Sequence, residues 1–227
     1  RADMKSEHWV QDFRQAVLLG KNSDLRLHGH GVALQEDTHA LFVPVALPLG
    51  EEVVKVPGKR LSDLLQTFPN EEPGLSLVFE GVEPKALQVK MGRVKALVPL
   101  LGGRVPLVPV IPDGDSLEIP MGLAQEMGDL CPYLPTDKHS HALACVHVTF
   151  EHMEACNNQQ ACRVAGTILP EGFPEFCLHA KCLELFQSVL AGSQSESILV
   201  SHSTNGLRFC IDFKELYCSK SYQKYPD

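Results

Sequence analysis

The sequence lacks the marks of a membrane-spanning or secreted protein. No stretch free of charges and helix breakers is long enough to cross a bilayer, and the most apolar run, 96–112, contains four prolines, two glycines and Arg104. No basic segment precedes an apolar core and a small-residue cleavage site, so we expect a cytoplasmic protein without membrane association. Positive charge is also scarce. The net charge of -8 argues against non-specific coating of nucleic acid.

Catalytic motifs are absent from the sequence as well. It has no Walker phosphate loop, no GxGxxG dinucleotide motif, no HExxH and no GxSxG, so we expect no enzymatic activity. A metal-dependent hydrolase would need a metal site, for which the candidate ligands are His147, His152, Cys156 and Cys162. However, no CxxC pair exists, and cysteines at alternating strand positions are usually small core residues. We therefore favour a structural role for these side chains and expect no metal and no cofactor.

Cysteine is absent from the first half of the chain and frequent in the second. The eight cysteines are Cys131, Cys145, Cys156, Cys162, Cys177, Cys182, Cys210 and Cys218. Disulfide scaffolds are typical of short secreted chains, and this chain is long and carries no secretion signal. We therefore expect eight free thiols in a reducing compartment.

One structural unit occurs twice in the 227 residues, which suffice for two domains of ordinary size. The segment VPGKRLSDLLQTF, Val56–Phe68, matches LHAKCLELFQSVL, Leu178–Leu190, and the match pairs Lys59 with Lys181. Apolar residues recur at i, i+3, i+4 and i+7 in the first segment, and most of this pattern returns in the second. Each segment predicts an amphipathic helix of about three turns.

Alternating apolar residues predict a hairpin after each of these helices. The strand pairs are LSLVFE with LQVKM and SILVS with LRFCI. Thr204, Asn205 and Gly206 separate the second pair, and Asn-Gly is typical of a tight hairpin turn. A further amphipathic helix is predicted near the start of each half, over Lys5–Leu18 and after Pro120. Further strands are predicted at Leu25–Leu34, Ala40–Leu47, His141–Phe150 and Ala161–Leu169.

The segment Gly102–Ser116 is rich in glycine and proline and separates the two halves. We expect a first domain at 4–103, a linker at 104–116 and a second domain at 117–227. Each half offers two helices to one face of an antiparallel sheet, which predicts an α+β fold.

Short motifs along the chain resemble, in the same order, those of bacterial DNA sliding clamps, the DNA polymerase III beta-type processivity factors. EDTHALFV resembles the TDGHRLA motif of the middle clamp domain, with Thr38 and Ala40 departing from it. VPGKRLSDLL resembles VPRKxxxELL, and LLGGRVP resembles LIDGRFPDY. In the second half, EACNNQQA and FCLHAKCLELF resemble TANNPEQEEA and FNxxYLLDVL of the last clamp domain. The likeness suits a divergent two-domain form, for instance one encoded by a phage.

The resemblance implies a ring of repeated clamp domains, with helices on the inner wall and sheet on the outer wall. Such a ring encircles double-stranded DNA irrespective of sequence and tethers DNA polymerase and the clamp loader for processivity, without catalysis. Clamps of this fold close with six domains. Two domains per chain therefore imply a homotrimer, and a further domain in a longer chain would imply a homodimer.

The resemblance also implies which residues contact DNA and partners. Basic residues on the inner helices would contact phosphates loosely; the candidates are Lys5, Arg14, Lys59, Arg60 and Lys181. Partners would insert a short hydrophobic peptide into an apolar groove beside the linker, and its candidate residues are Leu41, Pro106, Val110 and Ile111. For each lysine, a role in solvating its helix is an equally good interpretation. Leu41 as a core residue and Pro106 as a linker stiffener are the corresponding alternatives for the groove.

A clamp-fold interaction scaffold that does not encircle DNA is the alternative function. Two observations favour it: the negative net charge and the scarcity of basic residues on the helix after Pro120, which offers Glu126 and Asp129 instead.

Overall fold

The computed structural model describes residues 9–102, 116–135, 143–157, 159–166, 168–203 and 206–219. They form two compact units, one of residues 9–36 and 40–102 and the other of residues 37–39 and those from 116 onwards. The predicted linker, 104–116, lies almost wholly outside the described residues, so the domain bounds stay a prediction.

The first unit contains two helices and two antiparallel sheets. Its elements are α1 (Trp9–Leu19), β1 (Asp24–His28), β2 (Gly31–Gln35), β3 (His39–Pro44), β4 (Val54–Pro57), α2 (Gly58–Thr67), β5 (Pro73–Glu80), β6 (Glu83–Met91) and β7 (Val94–Pro99). Strands β4, β1, β2 and β3 are neighbours in that order, and β5, β6 and β7 form the other sheet.

The second unit repeats this plan and adds one strand at its start. Its elements are β8 (Ser116–Pro120), α3 (Met121–Asp129), a short 3-10 helix (Cys131–Tyr133), β9 (Cys145–Val148), β10 (His152–Cys156), β11 (Ala161–Ala165), β12 (Phe176–His179), α4 (Ala180–Leu190), β13 (Ser197–His202), β14 (Gly206–Ile211) and β15 (Lys214–Ser219). One sheet has the order β11, β10, β9, β12, and the other contains β8, β13, β14 and β15.

Both units therefore follow one topology in their described residues. A helix leads into three antiparallel strands, a fourth strand returns to pair with the first of these, and a second helix leads into three more strands. The predicted α+β class, with two helices and antiparallel strands in each half, is confirmed.

The apolar stripes of the helices form the core of each unit. Phe13 and Val17 of α1 and Leu61 of α2 are fully buried, as the 3.6-residue period predicts. Phe186 of α4 is fully buried too, and its ring lies 4.9 Å from the ring of Phe209 on β14. Burying one such side chain stabilises the fold by about 1.5–3 kcal/mol, so these stripes hold each helix pair on its sheets.

Several predicted bounds differ from the structure. The predicted strand Leu25–Leu34 is a hairpin, since β1 and β2 pair around a turn at Gly29 and His30. The predicted helix Val56–Phe68 begins only at Gly58, because the residues before it belong to β4. The matching segment in the second half likewise starts as strand β12 and becomes helical at Ala180. Helix α1 is described from Trp9 onwards.

Cys182 of α4 and Cys218 of β15 form a disulfide, with their Cα atoms 6.3 Å apart. The prediction of eight free thiols is therefore wrong for this pair. The two residues are 36 positions apart, and only the packing of α4 on β15 brings them together. The other six cysteines are not in disulfide bonds.

Among the described residues, no helix combines the length and the apolar character needed to cross a membrane.

Candidate functional site

The second helix of each unit begins directly at the end of a short strand. The amide of Gly58, the first residue of α2, donates to the carbonyl of Ser23, just before β1, at 3.0 Å. The amide of Ala180, the first residue of α4, donates to the carbonyl of Ala144, just before β9, at 2.7 Å. The same main-chain bond thus fixes the start of α2 and of α4, and the two helix starts are structurally equivalent.

Lys59 and Lys181 are the second residues of these two helices, and both are exposed. Arg60, the next residue in α2, is exposed as well. Neither helix has an acidic residue in its first turn. Cations at a helix N-terminus oppose the helix dipole, so helix stability does not account for these side chains. A cation beside the positive end of a helix dipole attracts an anion such as a phosphate.

Arg14 has a structural role that its sequence position does not reveal. Its guanidinium donates to the carbonyls of Leu65 at 2.6 Å, Phe68 at 2.8 Å and Glu71 at 2.5 Å. These carbonyls lie at and beyond the end of α2, where main-chain acceptors have no partner within the helix. Arg14 therefore links α1 to the C-terminal end of α2. Its predicted contact with DNA stays a prediction.

The structure gives less information on the remaining candidates. Lys5, Pro106, Val110 and Ile111 lie outside the described residues. Leu41 lies in β3, and only 1% of it is exposed, which agrees with the core interpretation of this residue. The groove assignment stays a prediction.

The four described helices are close to neutral in sum. Their basic residues are Arg14, Lys59, Arg60 and Lys181, and their acidic residues are Asp12, Asp63, Glu126, Asp129 and Glu184, which gives a net charge of -1. On α3, Glu126 and Asp129 are both exposed. The positive charge of the helices is thus concentrated at the starts of α2 and α4.

Two histidines and a glutamate converge on one face of the sheet formed by β11, β10, β9 and β12. Oε1 of Glu154 lies 3.1 Å from Nδ1 of His147 and 3.4 Å from Nε2 of His152. Oε2 of Glu154 accepts from Nε of Arg163 at 2.9 Å and from its Nη2 at 2.5 Å. Burial would raise the pKa of Glu154, but hydrogen bonds from Arg163, His147 and His152 outweigh it and lower this pKa.

Two cysteines in the same sheet, Cys145 and Cys177, have raised pKa values. Burial raises the pKa of Cys145 to about 12, with the neighbouring Cys177 adding to the shift. Burial also raises the pKa of Cys177 to about 11, helped by the negative charges of Glu175 and Glu154. Both residues are therefore protonated thiols at neutral pH, whereas the thiolate is the form that attacks electrophiles and binds metals.

Solved structures of bacterial sliding clamps resemble this chain. The DNA polymerase III beta subunit of Thermotoga maritima gives a TM-score of 0.80 at 16% identity, over 96% of this chain and 64% of its own. A putative beta subunit from Eubacterium rectale gives 0.81 at 7% identity, over 96% and 65%. The Helicobacter pylori beta clamp, bound to a DNA ligase peptide, gives 0.70 at 13% identity, over 96% and 66%.

These similarities show that the chain has the fold of the DNA polymerase III beta sliding clamps. The resemblance read from the short motifs is thus confirmed at the level of the fold. The chain spans less than two thirds of the length of these proteins, between 64% and 66%. No family model and no characterised protein matches the sequence itself.

Proposed function

We propose that this protein is a sliding clamp that encircles double-stranded DNA and acts as a non-enzymatic, cytoplasmic processivity factor. The observation that carries the proposal is the equivalent pair Lys59 and Lys181. Each is an exposed cation at the start of a helix that has no acidic residue in its first turn. The fold supports the same function, because it is shared with DNA polymerase III beta sliding clamps.

The proposed mechanism is physical and involves no chemical step. Lysine and arginine side chains at the helix starts contact phosphates, which carry no sequence information. Because no base edge is read, all positions along the duplex are nearly equal in energy and the ring can slide.

We propose a homotrimer, in which three chains of two units supply the six domains of a closed ring. Closed rings are built from head-to-tail interfaces with cyclic symmetry, and a trimer meets this requirement. If the full protein has one more domain, a homodimer supplies the same six domains.

We further propose that DNA polymerase and a clamp loader bind through a short hydrophobic peptide. The solved Helicobacter pylori clamp is bound to a DNA ligase peptide, which supports this mode for the shared fold. The candidate contacts remain Leu41, Pro106, Val110 and Ile111. Because Leu41 is buried, it can contribute only to the floor of such a groove.

The salt dependence of duplex binding tests the assigned cations. The triple variant Lys59→Ala, Arg60→Ala, Lys181→Ala should weaken binding in fluorescence anisotropy titrations. It should also reduce the slope of log K against log salt by about 1 for each phosphate that is no longer neutralised. The variant Lys90→Ala, Arg93→Ala, Lys95→Ala removes the same charges from exposed positions on β6, β7 and the turn between them.

This control should leave the slope unchanged. If both triple variants reduce the slope equally, overall charge governs DNA binding and the assignment of the helix starts is wrong.

A clamp-fold scaffold that does not encircle DNA is the second candidate. The net charge of -1 on the four described helices favours it, since a DNA-facing wall is expected to be basic. Such a scaffold would bind protein partners while showing no preference for closed over open DNA.

A further inference from the structure

A three-ligand cluster of His147, His152 and Glu154 lies within the second unit. His147 belongs to β9, and His152 and Glu154 belong to β10, so one hairpin supplies all three side chains. One ligand atom from each lies within 4.8 Å of the other two. We propose that these side chains bind one divalent transition-metal ion of the zinc class. This proposal does not depend on the clamp function.

The spacing of the ligand atoms fits a metal ion. Zinc bonds to nitrogen and oxygen are about 2.0–2.1 Å long, so tetrahedral ligand atoms lie about 3.3–3.4 Å apart. Oε1 of Glu154 is 3.1 Å from Nδ1 of His147 and 3.4 Å from Nε2 of His152. Small side-chain shifts would therefore bring all three atoms into the first coordination sphere.

Contacts with Thr149 position the ring of His152. The Thr149 hydroxyl donates its single hydrogen to the carbonyl of His152 at 3.0 Å and accepts from the amides of Glu151 and His152. Nδ1 of His152 lies 3.2 Å from the same oxygen, and Nε2 of the ring faces Oε1 of Glu154 at 3.4 Å. A metal ion between Nε2 and Oε1 would replace the hydrogen bond that joins them.

Charged side chains lie next to the other two ligands. Nε2 of His147 faces Oε2 of Glu175 at 3.7 Å, so a carboxylate lies behind a ring that would bind metal through Nδ1. Arg163 donates only to Oε2 of Glu154, so a metal ion at Oε1 would replace the contacts with the two histidines and leave those of Arg163 intact. Metal-binding histidines and carboxylates usually have partners of this kind, which fix their orientation.

The donor set selects the class of metal. Two imidazole nitrogens and one carboxylate oxygen suit zinc and its neighbours in the first transition row, whereas calcium and magnesium prefer oxygen ligands alone. The three side chains are between 14% and 21% exposed, so water can supply a fourth ligand. Cys177 pairs with His147 across the sheet, but its raised pKa keeps it a thiol.

Cobalt titration of the full chain tests the site. Protein freed of metal by a chelator, in the presence of a phosphine reductant, is titrated with Co²⁺ and followed by absorbance. We expect one ion per chain, weak visible bands and no intense thiolate-to-metal band. Zinc should displace the cobalt. The variants His152→Gln and Glu154→Gln should each raise the Kd at least about tenfold.

Two variants serve as matched controls. His30→Gln changes an exposed histidine of the first unit. Cys177→Ser removes the thiol of the residue that pairs with His147 across the sheet. Both variants should bind cobalt with the affinity of the wild type. Circular dichroism checks that each variant is folded. Absence of stoichiometric binding by the wild type at micromolar free cobalt would overturn the proposal. So would an intense thiolate band, or equal affinity of folded His152→Gln and wild type.

Discussion

Arg14 shows how the environment of a single residue decides its role. The guanidinium can donate five hydrogen bonds in a fixed plane, and here it reaches three carbonyls at and beyond the end of α2. A lysine at this position would keep the charge but could not span the same acceptors.

We therefore expect Arg14→Lys to lower the free energy of unfolding by about 1–2 kcal/mol, because the part-buried contacts to the carbonyls of Leu65 and Phe68 lose a charged donor. Urea denaturation followed by circular dichroism measures this change. Arg93→Lys, at an exposed turn between β6 and β7, is the control and should be neutral. If Arg14→Lys is also neutral, the hydrogen bonds of Arg14 contribute nothing to stability.

Sequence reasoning at this scale succeeded where the signal is local. Lys59 and Lys181 were paired through the helix repeat, and the structure gives both the same position in equivalent helices. The partners of Arg14 are 51 to 57 residues away and follow no periodicity.

Glu154 was missed as a neighbour of His147 and His152 because that contact depends on the register of β9 and β10. Cys156 and Cys162, grouped with these histidines in the sequence, are not part of the cluster.

Strand β4 runs directly into α2, and β12 runs directly into α4. These two junctions fix the positions of Lys59 and Lys181. Gly58 begins α2, and a Cβ atom there would come within 2.3 Å of the carbonyl oxygen of Gly20 and 2.4 Å of that of Ser23. Both are main-chain atoms, which cannot move aside as a side chain would. Only glycine fits this start.

Gly58→Ala should accordingly destabilise the protein by about 1–3 kcal/mol, the usual cost of overpacking. Gly122→Ala is a matched control near the start of α3, where nothing lies within 4 Å of the added atom. It should be neutral or stabilising by up to about 1 kcal/mol, since alanine favours helix. Thermal unfolding gives the melting temperature of each variant. Equal melting temperatures would contradict the close approach at Gly58.

The same junctions explain why β4 and β12 were not predicted. Each has four residues and runs into a helix without an intervening turn, so the helical periodicity extends over them in the sequence. What makes them strands is pairing with β1 and β9, which are distant in the chain. The helices α2 and α4, in contrast, carry their signal in consecutive residues, and their predicted ends at Phe68 and Leu190 lie within one residue of the observed ends.

For the whole molecule, the repeat of one topology in both units is the main result. The α+β class was predictable because patterning alone distinguishes helices from alternating strands. Ring assembly is a property of surfaces between chains, and neither periodicity nor one chain's fold reveals it.

Solution mass tests the proposed assembly. Three chains of 25.0 kDa give a particle of about 75 kDa, which sedimentation over a wide range of protein concentration can measure. We expect this species to dominate at micromolar concentration. A 25.0 kDa monomer at every concentration would contradict the homotrimer.

Retention on DNA with open and closed ends tests encirclement most directly. The protein is incubated with a nicked circular plasmid, free protein is removed at raised salt, and the sample is divided into three. One part stays circular, one is cut once, and one is cut and capped at both ends with a bulky protein. We predict retention on the circle and on the capped linear DNA, and loss from the open linear DNA. Equal retention on all three, above the level of free protein, would contradict encirclement.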